Sequence, residues 1–450
     1  MTGRLQRWVL LTTMAGLTPL PAQDVLSLKQ AVGIALDSSP AIESARAGEQ
    51  EAEAGIGVAK AGGLPSIAVR ESLTRSNNPV FAFGSLLNQR RFGSENFAID
   101  RLNNPDALNL FQSVVRVEQA LFDANRTKNA VRRARLRREL SAEERRAGEA
   151  AAILAVVRTY FGIALADESV RVAEQTKKSI EADLHRAESL REAGMATKAD
   201  ALSMKVHLAA IEEELIRARS QADVARAALN DALGLDLDRP HALTTPLESV
   251  TPAADSRESY VRLAVEQHPD LRRAALTTEL TAAETRAVSS ALWPRVTAQG
   301  VLEADRGRFA SRAGGNWLAG VALDWQVWKG NENRARIAAA RHAEDRALAS
   351  RRRTESAVNL RVRQAHADWN AARERIAVGE AAVAEAEESY RIQRNRYENG
   401  LVNVTELIRG QTAVLATQFR RLAALYDLRV ARAALDEAAG ILTADSEALL

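Results

Sequence analysis

From position 126 to position 193 the chain contains no proline and only two glycines, Gly148 and Gly162. Alanine, leucine, glutamate and arginine dominate this stretch, all strong helix formers, so summed propensity favours one unbroken helix. At a rise of 1.5 Å per residue that is a rod about 100 Å long, several times the width of a small domain. Such a rod belongs to a coiled coil or to the wall of an elongated body.

The rod occurs twice. Gly194 and Gly400, Gly234 and Gly440, and Phe122 and Trp328 are each 206 positions apart, and the run VARAAL at 224–229 returns unchanged at 430–435. Pro40 with Pro269, and Pro65 with Pro294, keep an offset of 229 instead. The first copy therefore carries 229 − 206 = 23 additional residues between Pro65 and Phe122. They fall within 76–106, a segment both polar (Asn77, Asn78, Asn103, Asn104) and aromatic (Phe81, Phe83, Phe92, Phe97), and insertions of this kind are tolerated at exposed loop tips.

Around the rods the chain changes period. Phe111, Val115, Val117 and Leu121 fall on one side of an alternating segment, with Gln112, Arg116 and Glu118 on the other. Val296, Ala298 and Leu302 alternate with Thr297, Gln299 and Glu303, and a face of Trp317, Ala319, Val321, Leu323, Trp325 and Val327 follows. Strands of roughly ten residues suit a tilted crossing of an outer membrane, with Trp317 and Trp328 as interfacial anchors. A soluble, half-buried sheet would alternate in the same way.

Residues 1–22 have the layout of a secretory signal peptide: Arg4 and Arg7, an apolar run at 8–17 too short to span a bilayer, and Ala22 as a cleavage point. No later stretch offers 18 consecutive apolar residues, which argues against an ordinary transmembrane helix and leaves a closed barrel as the route across a membrane. The formal net charge of +3 is too small for a nucleic-acid partner. Arg132, Arg133, Arg135, Arg137 and Arg138 do cluster, which suits a solvated helix face, anionic lipid headgroups or a cationic lumen. With no cysteine, no histidine pair at metal-ligand spacing, no phosphate-binding glycine loop and no nucleophile elbow, neither an enzyme, a metal site nor a cofactor is expected.

The expected layout is mainly α with a small β part. A first repeat at 23–259 holds short helices, a β-hairpin at 66–122, a long helix at 126–193, a returning helix at 195–233 and a proline-bearing linker at 235–259. A second repeat at 260–450 holds a helix at 270–292, a β-hairpin at 295–328, a long helix at 332–398, a returning helix at 403–439 and a short tail. Between Met204 and Ala232 apolar residues keep 4,3 spacing, so the returning helix packs side by side with its rod. Two shorter helices stacked end to end would match one rod in length.

Four strands cannot close a membrane barrel, whose known minimum is about eight, so the chain must oligomerise to cover its sheet edges. With the duplication, a hairpin before each rod, and the turn segments LREAGMATKADAL and RYENGLVNVTELI, the sequence resembles the TolC-like outer-membrane factor family over essentially the whole mature chain. The resemblance implies a homotrimer in which a transmembrane β-barrel sits on a long α-helical barrel, in the outer membrane of a Gram-negative bacterium and reaching into the periplasm. It further implies a passive duct in a tripartite export system, partnered by a periplasmic adaptor (membrane fusion protein) and an inner-membrane pump. The cargo would be small toxic compounds, drugs or metal ions, or alternatively proteins in a type I secretion system. If the strands do not enter lipid, a soluble rod-shaped scaffold is left.

Both turns carry helix-ending glycines, Gly194 and Gly400. Thr197 with Asp200, and Asn403 with Glu406, have capping-box spacing. The family resemblance adds a second role. Asp200 and Glu406 match acids that ring the periplasmic entrance, and Tyr397 matches a tyrosine that links to the first of them and holds the gate shut. Val402 stands where the family's archetype uses an arginine, and Arg409 replaces a second acid. Met195, Leu401 and Val402 would be exposed apolar residues at the tips, facing the adaptor.

Overall fold

The computed structural model describes residues 24–248 and 256–449. The signal segment and positions 249–255 of the linker lie outside the described residues. In chain order come β1 (Asp24–Leu26), α1 (Leu28–Ser38), α2 (Pro40–Ala61), β2 (Ser66–Ser76), α3 (Pro79–Asn88), α4 (Ile99–Asn103), β3 (Leu108–Phe122) and α5 (Arg126–Glu192). They are followed by α6 (Lys198–Leu233), β4 (His241–Leu243), α7 (Arg257–Gln267), α8 (Pro269–Ser289), β5 (Arg295–Arg306), β6 (Gly314–Asp324), α9 (Glu332–Glu398) and α10 (Val404–Ala438).

The rods α5 and α9 have 67 residues each. The duplication reaches into the backbone: Ala124 and Asn125 ahead of α5, and Gly330 and Asn331 ahead of α9, all have positive φ. Two successive left-handed residues turn the chain sharply from strand to rod, and asparagine tolerates that conformation better than most residues.

Each rod lies beside a stacked pair of shorter helices. Arg138 and Arg145 of α5 reach Glu49 of α2 at 3.3 and 2.8 Å. Lower down, Lys177 pairs with Glu212 at 2.8 Å and Lys205 with Glu188 at 3.0 Å, so α6 runs antiparallel to the second half of α5. Exposed pairs of this kind contribute about 0–1 kcal/mol each and fix register more than stability. Burial supplies the stability, through Met204, Ile211, Leu215, Ala218, Ala222 and Leu229 on the α6 seam. The four columns stand in the order α2/α6, α5, α8/α10, α9.

At mid-height β1 pairs in parallel with β4, and the fully buried Tyr160 fastens the junction. Its hydroxyl donates to Leu26 O at 2.8 Å and accepts from Thr245 N at 2.9 Å. Here α5 has one window apolar enough to cross a membrane by length and composition. No run of 18 consecutive apolar residues marks this window. Half of it is buried, with Ile153, Val156, Val157 and Phe161 in the core that joins α5 to α1 and α6.

The stacks depend on two glycines. Gly234 (φ +69°) closes α6 against the start of α2, and a Cβ there would lie 2.6 Å from Ser38 O; Gly440 (φ +73°) meets His268 in the same way in the second copy. Gly234→Ala is therefore expected to lower stability by more than the roughly 1 kcal/mol of left-handed strain alone, because backbone must also move. Thermal unfolding followed by helical circular dichroism would show a lowered midpoint, whereas Gly148→Ala, in open space inside a helix, would hold or raise it.

Three segments differ from expectation. The linker does not extend to 259, because Ser256 caps α7 by accepting from Ser259 N and the prolines end before it. The second hairpin ends at Asp324 rather than 328, since β5 begins at Arg295, the partner of Asp324, and later residues have no strand to pair with. The insertion at 76–106 is not an open loop. It folds as α3, a 3-10 turn at Ser94–Phe97 and α4 around edge-to-face contacts of Phe83, Phe92 and Phe97.

Candidate functional site

The four long strands form one antiparallel sheet in the order β2-β3-β5-β6, leaving β2 and β6 as open edges. Its register sorts the residues. Ile67 lies opposite Val117, Val69 opposite Val115, Val115 opposite Leu302, and Leu302 opposite Trp317, which brings apolar residues of all four strands to one face; Arg306 and Glu71 pair at its outer end. This face is bare: Ile67 is 70% exposed, Val69 76%, Leu302 62%, Trp317 76% and Val321 68%. On the other face Arg70, Gln112, Arg116, Glu118, Gln299 and Glu303 stand together. At the helical end of the sheet, Phe122, Trp293, Trp325 and Trp328 are exposed as an aromatic rim, with Trp325 Nε1 donating to Leu292 O at 3.1 Å. Apolar strands with an aromatic girdle are built for lipid on one side and water on the other.

The inserted segment leans over the polar face. A Cβ on Gly314, which pairs with Asp305, would overlap the carbonyl oxygen of Asn88, and Asp305 is fully buried beneath this cover.

At the far end of the rods lie the two turns. Gly194 (φ +77°) and Gly400 (φ +70°) take the left-handed conformation, and Thr197 and Asn403 then cap α6 and α10. Thr197 and Asp200 form a full capping box: Asp200 N donates to Thr197 Oγ1 at 3.2 Å, and Thr197 N to Asp200 Oδ2 at 2.8 Å. In the second turn only half of the box forms. Asn403 accepts from Glu406 N at 3.2 Å, while the Glu406 side chain pairs with Arg409 at 2.8 Å. A ring built on Glu406 would thus be partly neutralised.

Tyr397 is buried, and its hydroxyl makes no hydrogen bond. Burial pushes the phenol up, and the negative charges of Asp200 and then Asp183 add to the shift. Asp200 acts on Tyr397 through its field but does not bond to it. Met195 and Leu401 are exposed; Val402 is half-buried, because it packs against the tip core of Met204, Val404 and Leu407.

Between the turns and the mid-height junction the structure brings together a polar node that the turn motifs do not reveal. Asp183 of α5 is 1% exposed. It accepts from Tyr390 Oη of α9 at 2.5 Å, from Gln411 Nε2 of α10 at 2.6 Å, and from Arg186, one helical turn along, at 2.8 Å. Ser179 and Tyr390 are 3.1 Å apart, and Arg186 continues to Glu398 at 3.1 Å. The node ties the first copy's rod to both helices of the second copy. Two signals were readable in the sequence: Ile180, Asp183 and Ala187, and Leu407 and Gln411, keep the 3,4 spacing of a buried seam, where a polar residue is exceptional. Among the described residues no group of histidines and acids could hold a metal.

A sheet with one lipid-compatible face, standing on four parallel columns about 100 Å tall, defines a class of protein: the channel-forming subunits of the cell envelope. The chain belongs to the outer membrane efflux protein family, whose model matches residues 31–235 and 260–441, one block for each copy. Its place is the outer membrane of a Gram-negative cell. No curated protein matches it by sequence. Solved structures share its fold: the Campylobacter jejuni CmeC outer membrane channel (14% identity, 94% of this chain and 87% of that one, TM-score 0.79) and CusC (17%, 95% and 98%, 0.77). The outer membrane protein VceC of Vibrio cholerae is similar as well (19%, 92% and 96%, 0.76).

Proposed function

We propose that three copies of this chain close into one duct that exports small toxic compounds, drugs or metal ions, handed on by a periplasmic adaptor and an inner-membrane pump. The observation that carries this reading is the four-stranded sheet with a bare apolar face and two unpaired edges. Three such sheets, edge to edge, give twelve strands, above the minimum of about eight for a membrane barrel. The rods beneath would then form a wall of twelve columns. A soluble scaffold would have to leave the apolar face in water.

The gate in this reading is at the tips. Tyr397, Asp200 and Glu406 narrow the entrance, and the exposed Met195 and Leu401, with the turns at Gly194, Thr197, Gly400 and Asn403, form the surface an adaptor meets. Val402 supports that surface from within. The Tyr397 hydroxyl lacks an acceptor and Asp200 is the first of the acids whose charge bears on it, so in the closed gate the two would be joined. One hydrogen bond contributes about 0.5–1.5 kcal/mol, and a trimer has three, so Tyr397→Phe and Asp200→Ala should each raise mean single-channel conductance several-fold. Wild-type conductance in both variants would remove the tip from the gating account.

A further inference from the structure

A cavity of about 1020 Å³ opens between the top of α5 and α8, directly below the sheet. Lys128, Arg132 and Arg135 of α5 and Arg286 of α8 line it, with neutral donors on Asn129 and Ser289, and Phe122 and Trp293 at its rim. No carboxylate is part of the lining. Neighbouring cations are matched: Arg133 pairs with Glu284 at 2.9 Å, and Arg138 with Glu49 and Glu53. None of the four lining cations forms an ion pair among the described residues. The Glu344 carboxylate reaches the wall only by accepting from Thr285 Oγ1 at 3.2 Å. Four positive charges without an ion pair around one opening repel one another, so an anion there relieves a cost that the fold otherwise carries.

The sheet register shows which side the cavity faces. An irregularity between Ala120 and Phe122 sets Phe122 opposite Val296, on the apolar face, so the rim belongs to the lipid side of the wall. Residues 128–135 lie within about 15 Å of the top of α5, and arginine and lysine side chains extend further toward an interface. The cations therefore sit at headgroup depth, beneath the aromatic rim.

We propose that this cavity binds the phosphate of an anionic phospholipid in the inner leaflet of the outer membrane. Guanidinium groups grip phosphate oxygens in paired hydrogen bonds, and Phe122 and Trp293 would flank the start of the acyl chains. The inference rests on the apolar face lying in lipid.

The test uses the full protein in phosphatidylcholine vesicles containing spin-labelled phosphatidylglycerol or spin-labelled phosphatidylcholine, and reads the fraction of each held at the protein. A cation at an anionic surface is worth roughly fivefold, so phosphatidylglycerol should be preferred at least fivefold. A Lys128→Gln, Arg132→Gln, Arg135→Gln, Arg286→Gln variant should lose that preference. The control Arg351→Gln, Arg352→Gln, Arg353→Gln, well down α9, should keep it. Equal preference in wild type and the fourfold variant overturns the site. Loss of the preference on adding inorganic phosphate would assign the cavity to free phosphate and overturn the lipid. Carbonate extraction of the same vesicles separates the two levels: a protein that washes off contradicts the membrane reading itself, whereas one that stays without preference contradicts only this site.

Discussion

Asp183→Ala is expected to open the duct. The substitution leaves the Tyr390 hydroxyl and the Gln411 amide without their shared acceptor and Arg186 with Glu398 alone, at a position 1% exposed. Removing one partner from a buried charged cluster costs roughly 3–5 kcal/mol, enough to reverse an equilibrium between two packings of the same helices. Because the node joins α5 to α9 and α10, its loss frees the second copy's pair to move against the first. Conductance in planar bilayers should rise, and cells carrying the variant should admit antibiotics too large for the closed form. Conductance like that of wild type, in a variant that still folds, would show that the node is structural only.

The same residue gives a pH signature. Burial, the largest influence, pushes the Asp183 carboxyl above its ordinary 3.8, while Tyr390, Arg186 and Arg394 pull it back and Glu398 pushes it further up. His207 on α6 and Gln411 on α10 complete its surroundings, and burial pushes the histidine down. A raised folded value means that the folded node holds the proton more tightly than the unfolded chain. Its contribution is then fully present below about 3.8 and is lost as pH rises through the raised value. Wild type should therefore gain melting temperature relative to Asp183→Asn as the medium is acidified toward 3.8, and a pH-independent difference would contradict the shift.

Val321→Arg should abolish stable insertion. Val321 is 68% exposed on the apolar face, near the middle of β6, and an arginine at the bilayer midplane costs about 2–4 kcal/mol in a membrane barrel. In the proposed assembly of three copies the penalty would apply three times. Gln299→Arg, at a similar height on the polar face, should insert normally. Fractionation of the outer membrane after carbonate washing would show the first variant lost and the second retained. Equal retention would mean that the bare face does not meet lipid.

These two predictions differ in how far the sequence alone could have led to them. The strand alternation of Val296 to Glu303 and the rods between glycines were legible because each is a local pattern repeated at a fixed offset. The node was legible only as two polar residues on buried seams, since Asp183, Tyr390 and Gln411 come from three helices and do not share the repeat offset: Tyr390 falls opposite Leu184, and Gln411 opposite Lys205. Duplication made the fold visible and hid the place where the copies differ. The half-formed cap at Asn403 has a similar origin. Spacing allows Glu406 to reach back to the cap, but Arg409, one turn ahead, offers a stronger partner. Val402 is half-buried through packing with Met204, Val404 and Leu407, which the composition of a turn does not show.

The most direct measurement uses the absence of cysteine from the chain, pairing single cysteines at positions 67–73 of β2 with single cysteines at 317–323 of β6. The two edges of a four-stranded sheet are about 14 Å apart, too far for a disulfide within one copy, whose Cα atoms must lie within about 7 Å. Oxidation of the membrane-embedded protein should give linked pairs and a final band of three chains. A protein that stays single at every position, or a ladder that climbs past three, would contradict a duct closed by three copies.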